Sequence, residues 1–310
     1  MASPNHMLID GDILLYQTTQ SCLNEADWGD TYITCWLDLG ELKYLVSVII
    51  NRWMETLDAE SYTICLSDYE RNFRKELDPS YKEQRDGSSK PIGYDRAHVW
   101  IQGEHPCKKL AGLEADDVMG ILATNGDFVE PIIISDDKDM RQIPGRLYIP
   151  RRRELLPISR EDGIRYHFHQ TLTGDRVDNY FGCPGIGEVR AAKALDGADL
   201  GDAWGTVVHL YEKAKLTEAD AIHQARLAKI LQAEDFNVET GEPILWQPNV
   251  SSAARRTTTA PASDRTVAVV KRSDSPTKTT TSRKSRTGTK QSTTSSSSTP
   301  TMLSTGKLLR

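Results

Sequence analysis

The stretch GLEADDVMG (112–120) places Glu114, Asp116 and Asp117 within four positions. Like charges this close repel one another, and burying a carboxylate is costly unless a cation shares its site. These acids therefore either face water in a first helical turn, where they favour the helix dipole, or hold a metal ion. Glu114 and Asp117 would share a helix face, but Asp116 would not. All three can point at one site only if the helix begins near Asp116 with Glu114 still extended.

Further acids stand just after apolar stretches that we interpret as strands: Asp10, Asp12, Asp68, Asp136, Asp137 and Asp139. In an open α/β sheet, ligands bind beyond the carboxyl ends of the strands, so these segments deliver their carboxylates to one edge. Each segment alone also fits a solvated turn or a helix start, and the prediction depends on their coincidence. Oxygen-only ligands suit Mg²⁺ or Mn²⁺, and the lack of Cys and His clusters argues against zinc.

Two further segments carry groups that suit phosphate. NFRKELDPSYKEQR (72–85) contains Arg74, Lys82 and Arg85, and on a helix the last two would share one face. A solvated charged helix explains this segment equally well.

The second segment is TGDRVDNYFGCPGIGEVRAAKAL (173–195), in which Gly182, Gly185 and Gly187 predict a tight hairpin just before a helix. Backbone N–H groups there would bind phosphate without reading bases, assisted by Arg190 and Lys193. An ordinary turn is the alternative, and we favour DNA binding.

Strands alternating with helices predict an α/β domain over residues 1–158. We expect a strand in 7–16 that runs into a loop, and strands at 61–66, 131–135 and 146–150. We expect helices at 38–57 and 116–126, the latter ending at Asn125 and Gly126. Residues 159–250 predict an all-helical domain with helices at 159–172, 187–197 and 216–232, the first and last capped by Ser159 and Thr217.

Charge divides the chain unevenly. The net charge is −6, but residues 251–310 carry twelve Lys and Arg against two Asp, which leaves 26 basic and 42 acidic residues in the first 250. An acidic body is explained if bound cations neutralise many of its acids. The Ser/Thr-rich tail has too few apolar residues to offset its chain entropy, so we expect a disordered basic tail.

The composition also excludes several classes of protein. No apolar run approaches 18 residues and no signal peptide is recognisable, so we expect no membrane association. Five cysteines lie far apart, without metal-ligand spacing, which favours reduced thiols in a cytoplasmic protein.

Five motifs in this order resemble the 5′ nuclease family, which comprises phage 5′→3′ exonucleases, flap endonucleases and the nuclease domain of bacterial DNA polymerase I. They are LIDGD (8–12), LSDYERNFRKELDPSYKEQR (66–85), GLEADD (112–117), SDDKDM (135–140) and GDRVDNYFGCPGIG (174–187). The resemblance is strongest to the phage branch in the style of the T-odd coliphages, and it spans residues 7–197. Two departures are YFG in place of the usual IPG before the hairpin, and a short segment 86–93 where flap endonucleases build a helical arch.

The resemblance implies a PIN-like α/β core with a mainly parallel sheet and flanking helices, plus a helical domain with a helix-hairpin-helix-type motif. It implies two Mg²⁺ ions, replaceable by Mn²⁺, held by Asp10, Asp68, Glu114, Asp116, Asp117, Asp137, Asp139, Asp175 and Asp178. Lys82 and Arg85 would act in catalysis, and the DNA contacts would come from Arg74, Lys82, Arg85, Gly185, Gly187, Arg190 and Lys193. A K⁺ ion would sit at the hairpin.

The implied activity is 5′→3′ hydrolysis of duplex DNA from 5′ ends in phage replication, recombination or host DNA breakdown, with removal of RNA primers. Its substrates would be 5′ ends, nicks, flaps and RNA–DNA hybrids, acted on by a monomer in the host cytoplasm, and a replication protein is a candidate partner for the tail. A structure-specific flap endonuclease is the alternative. A PIN-like RNase would normally lack the hairpin at 173–195, and an inert DNA-binding module would lack some of the acids.

Overall fold

A computed structural model describes residues 5–85 and 90–248. Residues 86–89, within the short segment expected in place of an arch, and residues 251–310, the predicted disordered tail, lie outside the described residues. The α/β region and the helical region that follows it belong to one compact unit. The boundary predicted at residue 158 remains a prediction.

The described N-terminal region is built around a six-stranded sheet with the order β5-β4-β1-β6-β7-β8. Its strands are β1 (Asn5–Asp10), β4 (Ala59–Leu66), β5 (Cys107–Lys109), β6 (Ile132–Ile134), β7 (Gly145–Ile149) and β8 (Glu154–Ile158). All pairings are parallel except β7 with β8. This confirms the predicted α/β class and the strands at 61–66, 131–135 and 146–150, whereas β5 and β8 were not predicted.

Both faces of the sheet are covered, as its continuous apolar strands require. Alternate side chains of one strand enter different cores: Met7 and Ile9 pack on one side and Leu8 on the other. Helices α1 (Gly11–Ser21), α2 (Leu39–Leu57) and α4 (Tyr94–Glu104) supply the first core. Helix α5 (Ala115–Thr124) supplies the second.

The prediction of a loop after the first strand is wrong, because α1 begins directly at Gly11. Asp10 caps this helix by accepting a hydrogen bond from the Ile13 backbone N–H at 3.0 Å. Only a glycine fits at position 11, since an added Cβ would lie 2.6 Å from the Cys65 carbonyl oxygen. The helix can therefore start close against β4, and it holds Asp10 at the edge of the sheet.

A two-stranded hairpin, β2 (Leu23–Asp27) with β3 (Ile33–Leu37), connects α1 to α2. Helix α3 (Phe73–Leu77) and short 3₁₀ turns at Glu83–Arg85 and Lys138–Gln142 complete the region. The helix predicted at 38–57 is confirmed, and the helix predicted at 116–126 is confirmed as α5 with Asn125 at its C-cap.

The second region contains α6 (Arg160–Thr173), α7 (Glu188–Leu195), α8 (Leu200–Lys213) and α9 (Glu218–Ala228). Ser159 and Thr217 cap α6 and α9 as predicted, each in a reciprocal capping box with the Asp three residues on. The expectation of an all-helical region is wrong in one detail, because β9 (Phe236–Asn237) pairs with β10 (Glu242–Pro243).

No helix within the described ranges combines the length and the apolar character needed to cross a membrane.

Candidate active site

A cleft of about 820 Å³ opens at the carboxyl ends of the strands. Ten acidic side chains line it: Asp10, Asp12, Asp68, Glu70, Glu114, Asp116, Asp137, Asp139, Asp175 and Asp178. Eight of the nine acids that the sequence predicts as metal ligands therefore meet in one place, although they come from segments up to 168 positions apart. Asp117 is the exception.

Burial and mutual repulsion raise the pKa values of two acids at the floor of the cleft. Burial, together with the charges of Asp12 and Asp137, raises the pKa of Asp10 to about 7. Burial and the neighbouring Asp137 and Asp10 likewise raise the pKa of Asp116 well above its usual value. A cation bound among carboxylates held this close would relieve their mutual repulsion.

Asp10 is held in place from two sides. Its second carboxylate oxygen accepts a hydrogen bond from the Ser135 hydroxyl at 2.8 Å, while the first caps α1. The same hydroxyl accepts from the Asp137 backbone N–H at 3.0 Å. Ser135 therefore links β1 to the Asp137 segment after β6 across the sheet edge.

Asp139 lies deeper in the cleft wall. Its pKa is raised to about 7 by burial and by the charge of Asp137. Asp137 in turn caps the Lys138–Gln142 turn by accepting from the Asp139 backbone N–H at 2.8 Å. The additional acid of this motif, Asp136, is turned away and pairs with Arg151 at 3.3 Å.

Protein cations occupy the other side of the cleft. Lys82 pairs with Glu114 and lies 3.7 Å from Asp178, while Arg85 pairs with Asp178 at 2.7 Å. Burial would raise the pKa of Glu114, but Lys82 and Arg74 outweigh it and lower the pKa to about 2. Glu114 is therefore ionised at neutral pH, and its charge is shared with lysine and arginine.

The expectation that Lys82 and Arg85 share one helical face is wrong. Helix α3 ends at Leu77, Lys82 has a positive φ of 56°, and Arg85 lies in the following 3₁₀ turn. The two cations instead converge because the Lys82 backbone N–H bonds to the Asp178 carbonyl at 2.9 Å. Both side chains line the cleft, as their predicted role requires.

The positions of Arg74 and Asp117 contradict the roles predicted for these two residues. Arg74 was expected to contact phosphate and Asp117 to bind metal, but their side chains are 1% and 0% exposed and they bond to each other. Asp117 also accepts from the Leu231 backbone N–H, and Arg74 donates to the Leu227 carbonyl. The helix does begin where predicted, with Glu114 extended as its N-cap, but this start turns Asp117 into the core.

The two remaining predicted ligands come from the loop that precedes the hairpin. Asp175 pairs with Lys138 at 2.9 Å, and a backbone bridge between Asp175 and Tyr180 closes the loop that also carries Asp178. Burial would raise the pKa of Asp175, but the Lys138 hydrogen bond and backbone donors lower it. For Asp178, burial prevails over Lys82 and Arg85, and its pKa is raised.

Asp68 sits at the end of β4. A hydrogen bond of 2.8 Å from the Gly112 backbone N–H is the main cause of its lowered pKa. Lys109 lies 3.4 Å from the same carboxylate.

A tight turn lies between α6 and α7, at the position where the hairpin is predicted. Gly182 and Gly185 have positive φ values of 62° and 78°, and Gly187 is the N-cap of α7 without a side-chain cap. The Arg190 side chain donates a hydrogen bond to the Gly185 carbonyl at 2.8 Å, so it stabilises the turn. Lys193 lies on the groove between α6 and α7.

The donor set fits hard divalent cations, because all the converging ligands are carboxylate oxygens. In the described part of the chain, however, no three of them are already arranged to hold one ion. Several are turned towards protein cations, as in the pairs Glu114–Lys82, Asp178–Arg85 and Asp175–Lys138. A metal ion bound here would compete with these protein cations for the carboxylate oxygens.

Sequence reasoning missed several groups that the structure brings to the site. Tyr81 donates from its hydroxyl to Glu114 at 3.0 Å, and Tyr69 donates to Asp12 at 2.8 Å. Gln170 donates to Asp139 at 2.6 Å. Tyr81 is adjacent in sequence to the predicted Lys82, and this position could have identified it as a site residue. Nothing in the local sequence identifies Gln170 as one.

Comparisons with known proteins agree with this geometry. Residues 5–149 match the family described as 5'-3' exonuclease, N-terminal resolvase-like domain. The exodeoxyribonuclease of Enterobacteria phage T3 and the exonuclease of Escherichia phage T7 are each 27% identical over 280 residues; the matches cover 78% of this chain and 92% and 93% of the relatives.

A solved structure also shares the fold. The bacteriophage T5 D15 flap endonuclease, crystallised in a pseudo-enzyme-product complex with DNA and metal ions, superposes with a TM-score of 0.51 at 16% identity, covering 73% of this chain and 89% of that one. Residues 5–149 are therefore similar to the N-terminal domain of 5'-3' exonucleases, and most of the chain is similar to two phage exonucleases, in agreement with the acids at the sheet edge.

Proposed function

We propose that this protein is a divalent-metal-dependent 5′→3′ exonuclease that hydrolyses phosphodiester bonds of duplex DNA from 5′ ends. The observation that carries the proposal is the convergence of eight predicted ligand acids, with Lys82 and Arg85, in one cleft. A non-catalytic DNA-binding module would have no need to collect like charges at this cost in repulsion.

We assign Asp10, Asp68, Glu114 and Asp116 to the tighter metal site. Asp137, Asp139, Asp175 and Asp178 surround the second site, and Asp117 is withdrawn from it. Two divalent ions there would supply a hydroxide near neutral pH and stabilise the leaving oxygen. Mg²⁺ is the ion we expect, with Mn²⁺ as a substitute.

The chain's own residues would position the DNA. Lys82 and Arg85 stand beside the acids, where they would stabilise charge on the scissile phosphate once their carboxylate partners turn to the metal. The hairpin at 182–187, with Arg190 and Lys193, would hold backbone phosphates away from the cut without selecting sequence, with a K⁺ ion at the turn. We thus assign sequence-independent DNA binding mainly to residues 159–250, and the chemistry to residues 1–158 together with Asp175 and Asp178.

A flap endonuclease is the second candidate, because the T5 D15 relative carries that name. The segment 86–93 has one Lys and two Gly, which is too short a stretch to build a long basic arch over a single-stranded arm. We therefore favour attack at the ends of duplex DNA, including RNA–DNA hybrids at primers.

Digestion of duplexes labelled at either end tests the proposal. With Mg²⁺, a 5′ label should be released at once as mono- or short oligonucleotides, while a 3′-labelled strand should shorten progressively from its 5′ end. EDTA should stop both reactions and Mn²⁺ should restore them. Full activity in excess EDTA contradicts the metal-dependent mechanism, and release of long intact flaps with resistant duplex ends favours the flap endonuclease.

A neighbouring pair of acids provides a matched control. Asp137→Asn should abolish cleavage, because Asp137 lines the floor of the cleft. Asp136→Asn removes the adjacent carboxylate, which bonds Arg151 instead, and should retain activity within a few fold. Equal loss in both variants would contradict the assignment.

A further inference from the structure

A chain of buried side-chain amides leads from the C-terminal end of α9 to the cleft. Gln142 and Gln170 are 1% and 3% exposed. The Gln142 amide nitrogen donates to the Gln170 amide oxygen at 2.6 Å, and the Gln170 amide nitrogen donates to Asp139 Oδ1 at 2.6 Å. Buried amides that bond to a prospective metal ligand are candidates for orienting it.

Backbone groups fix the donor-to-acceptor direction of this series of hydrogen-bonded amides. The Gln142 amide oxygen accepts from the Ile230 backbone N–H at 3.0 Å, and its amide nitrogen donates to the Ala228 carbonyl at 2.6 Å. A backbone N–H can only donate and a carbonyl can only accept, so the Gln142 amide cannot be reversed without losing both bonds. Gln142 thus presents a donor to Gln170, which must turn its oxygen towards Gln142 and its nitrogen towards Asp139.

The fixed orientation of Gln170 affects the two carboxylate oxygens of Asp139 differently. One of its carboxylate oxygens is held by a donor from inside the protein, and Asp139 Oδ2 is left for the cleft that the side chain lines.

We propose that Gln170 is a positioning residue that orients Asp139 for metal binding, with its own orientation set by Gln142 and the 228–230 backbone. This inference rests on the proposed function, because it takes Asp139 as a ligand of the second metal site. It extends that function by coupling a metal ligand to the segment after α9. Loss of an outer partner of this kind typically costs 10–100-fold in metal affinity or activity.

Direct Mn²⁺ binding to the DNA-free full-length protein tests the inference without measuring cleavage. Free Mn²⁺ can be followed by electron paramagnetic resonance during a titration, and two classes of site are expected. Gln170→Met keeps the side-chain length but removes the donor, so it should weaken the weaker class about 10-fold or more. Gln142→Met should weaken the same class by a smaller factor, because Gln170 then loses the partner that fixes its amide.

Thr171→Val is the matched control. Thr171 is buried on the same helix, but its hydroxyl bonds only within α6, to the His167 carbonyl at 2.9 Å. This variant should bind Mn²⁺ like the parent. In cleavage assays, Gln170→Met should need a higher Mg²⁺ concentration for half-maximal rate, whereas the Kd for duplex DNA measured in EDTA should be unchanged.

The outcomes separate the two proposals. A parent protein that binds no Mn²⁺ contradicts the proposed function itself. A parent with two classes of site and a folded Gln170→Met variant within twofold of it contradicts the positioning role alone. If Gln170→Met fails to fold, Gln142→Met decides: unchanged Mn²⁺ affinity in that variant overturns the inference.

Discussion

Arg74 and Asp117 face each other in the core through two parallel hydrogen bonds of 2.7 and 2.8 Å. Neither side chain is more than 1% exposed. Arg74 also donates to the carbonyls of Leu227 and Lys229, more than 150 positions away. The pair therefore joins the start of α5 and the α3 segment to the end of α9 and the residues that follow it.

Arg74→Met should strongly destabilise the protein, because it leaves the Asp117 carboxylate buried without its cation. We expect a loss of about 3–5 kcal/mol in the free energy of unfolding, measured by urea denaturation. Arg71→Met removes a neighbouring arginine whose pairs with Glu76 and Glu242 are exposed, and it should change the free energy of unfolding far less than Arg74→Met does. Similar losses in both variants would show that Arg74 is not the structural anchor described.

Asp116→Asn should stabilise the metal-free protein while abolishing cleavage. The pKa of Asp116 is raised by burial and by the charges of Asp137 and Asp10, so removing its charge relieves repulsion. We expect the Tm in EDTA to rise by roughly 2–4 °C, which corresponds to about 1 kcal/mol for a protein of this size. Thermal unfolding measures this, and a lower Tm in EDTA would mean that Asp116 is already compensated within the protein.

Gly182→Ala should disrupt the hairpin and the loop that carries Asp175 and Asp178. The added Cβ would lie 2.4 Å from the Gly174 nitrogen, and the φ of 62° disfavours any other residue. We expect a loss of 2 kcal/mol or more in stability, of the order seen when backbone strain is forced on a packed site. Circular dichroism during denaturation measures it.

Gly187→Ala is the control for that change, since a Cβ at Gly187 would meet nothing within 4 Å. Its stability should stay within about 1 kcal/mol of the parent. If its affinity for duplex DNA falls while its stability holds, the close approach of phosphate to this turn is supported. A Gly182→Ala variant as stable as Gly187→Ala would contradict the packing argument.

The stability of the protein should fall in mild acid because of His167. Burial, assisted by Lys229, lowers its pKa to about 3, so the folded state keeps a neutral ring while the unfolded chain binds a proton below about pH 6.5. The unfolded state then binds more protons, and stability decreases as the pH falls from about 6.5 towards 3. At pH 5 this amounts to about 2 kcal/mol relative to pH 7.

His167→Gln removes this titration and should flatten the pH dependence of the free energy of unfolding between pH 7 and pH 5. The exposed His209 offers a control, and His209→Gln should leave the slope as in the parent. An unchanged slope in His167→Gln would mean that other groups account for the acid sensitivity.

Much of the fold and of the site was determined by local sequence. Capping boxes at Ser159 and Thr217 depend on residues three positions apart, and the apolar run at 132–134 can only be a covered strand. Because parallel strands end at the same edge, the acids that follow them had to meet. Eight of the nine predicted ligand acids line the cleft for this reason.

Only the tertiary structure decided which charged groups face the cleft. Arg74 and Asp117 have the residue types of a phosphate contact and a metal ligand, yet the segment 227–231 covers both and satisfies their hydrogen bonds. Gln170 resembles any helical glutamine until Gln142 and the 228–230 backbone give its amide a direction. The segments that cover a side chain and supply its hydrogen-bond partners are distant in sequence. The local pattern therefore determines the position of a residue in its helix or strand, but not whether its side chain lies in water, in the core or at the site.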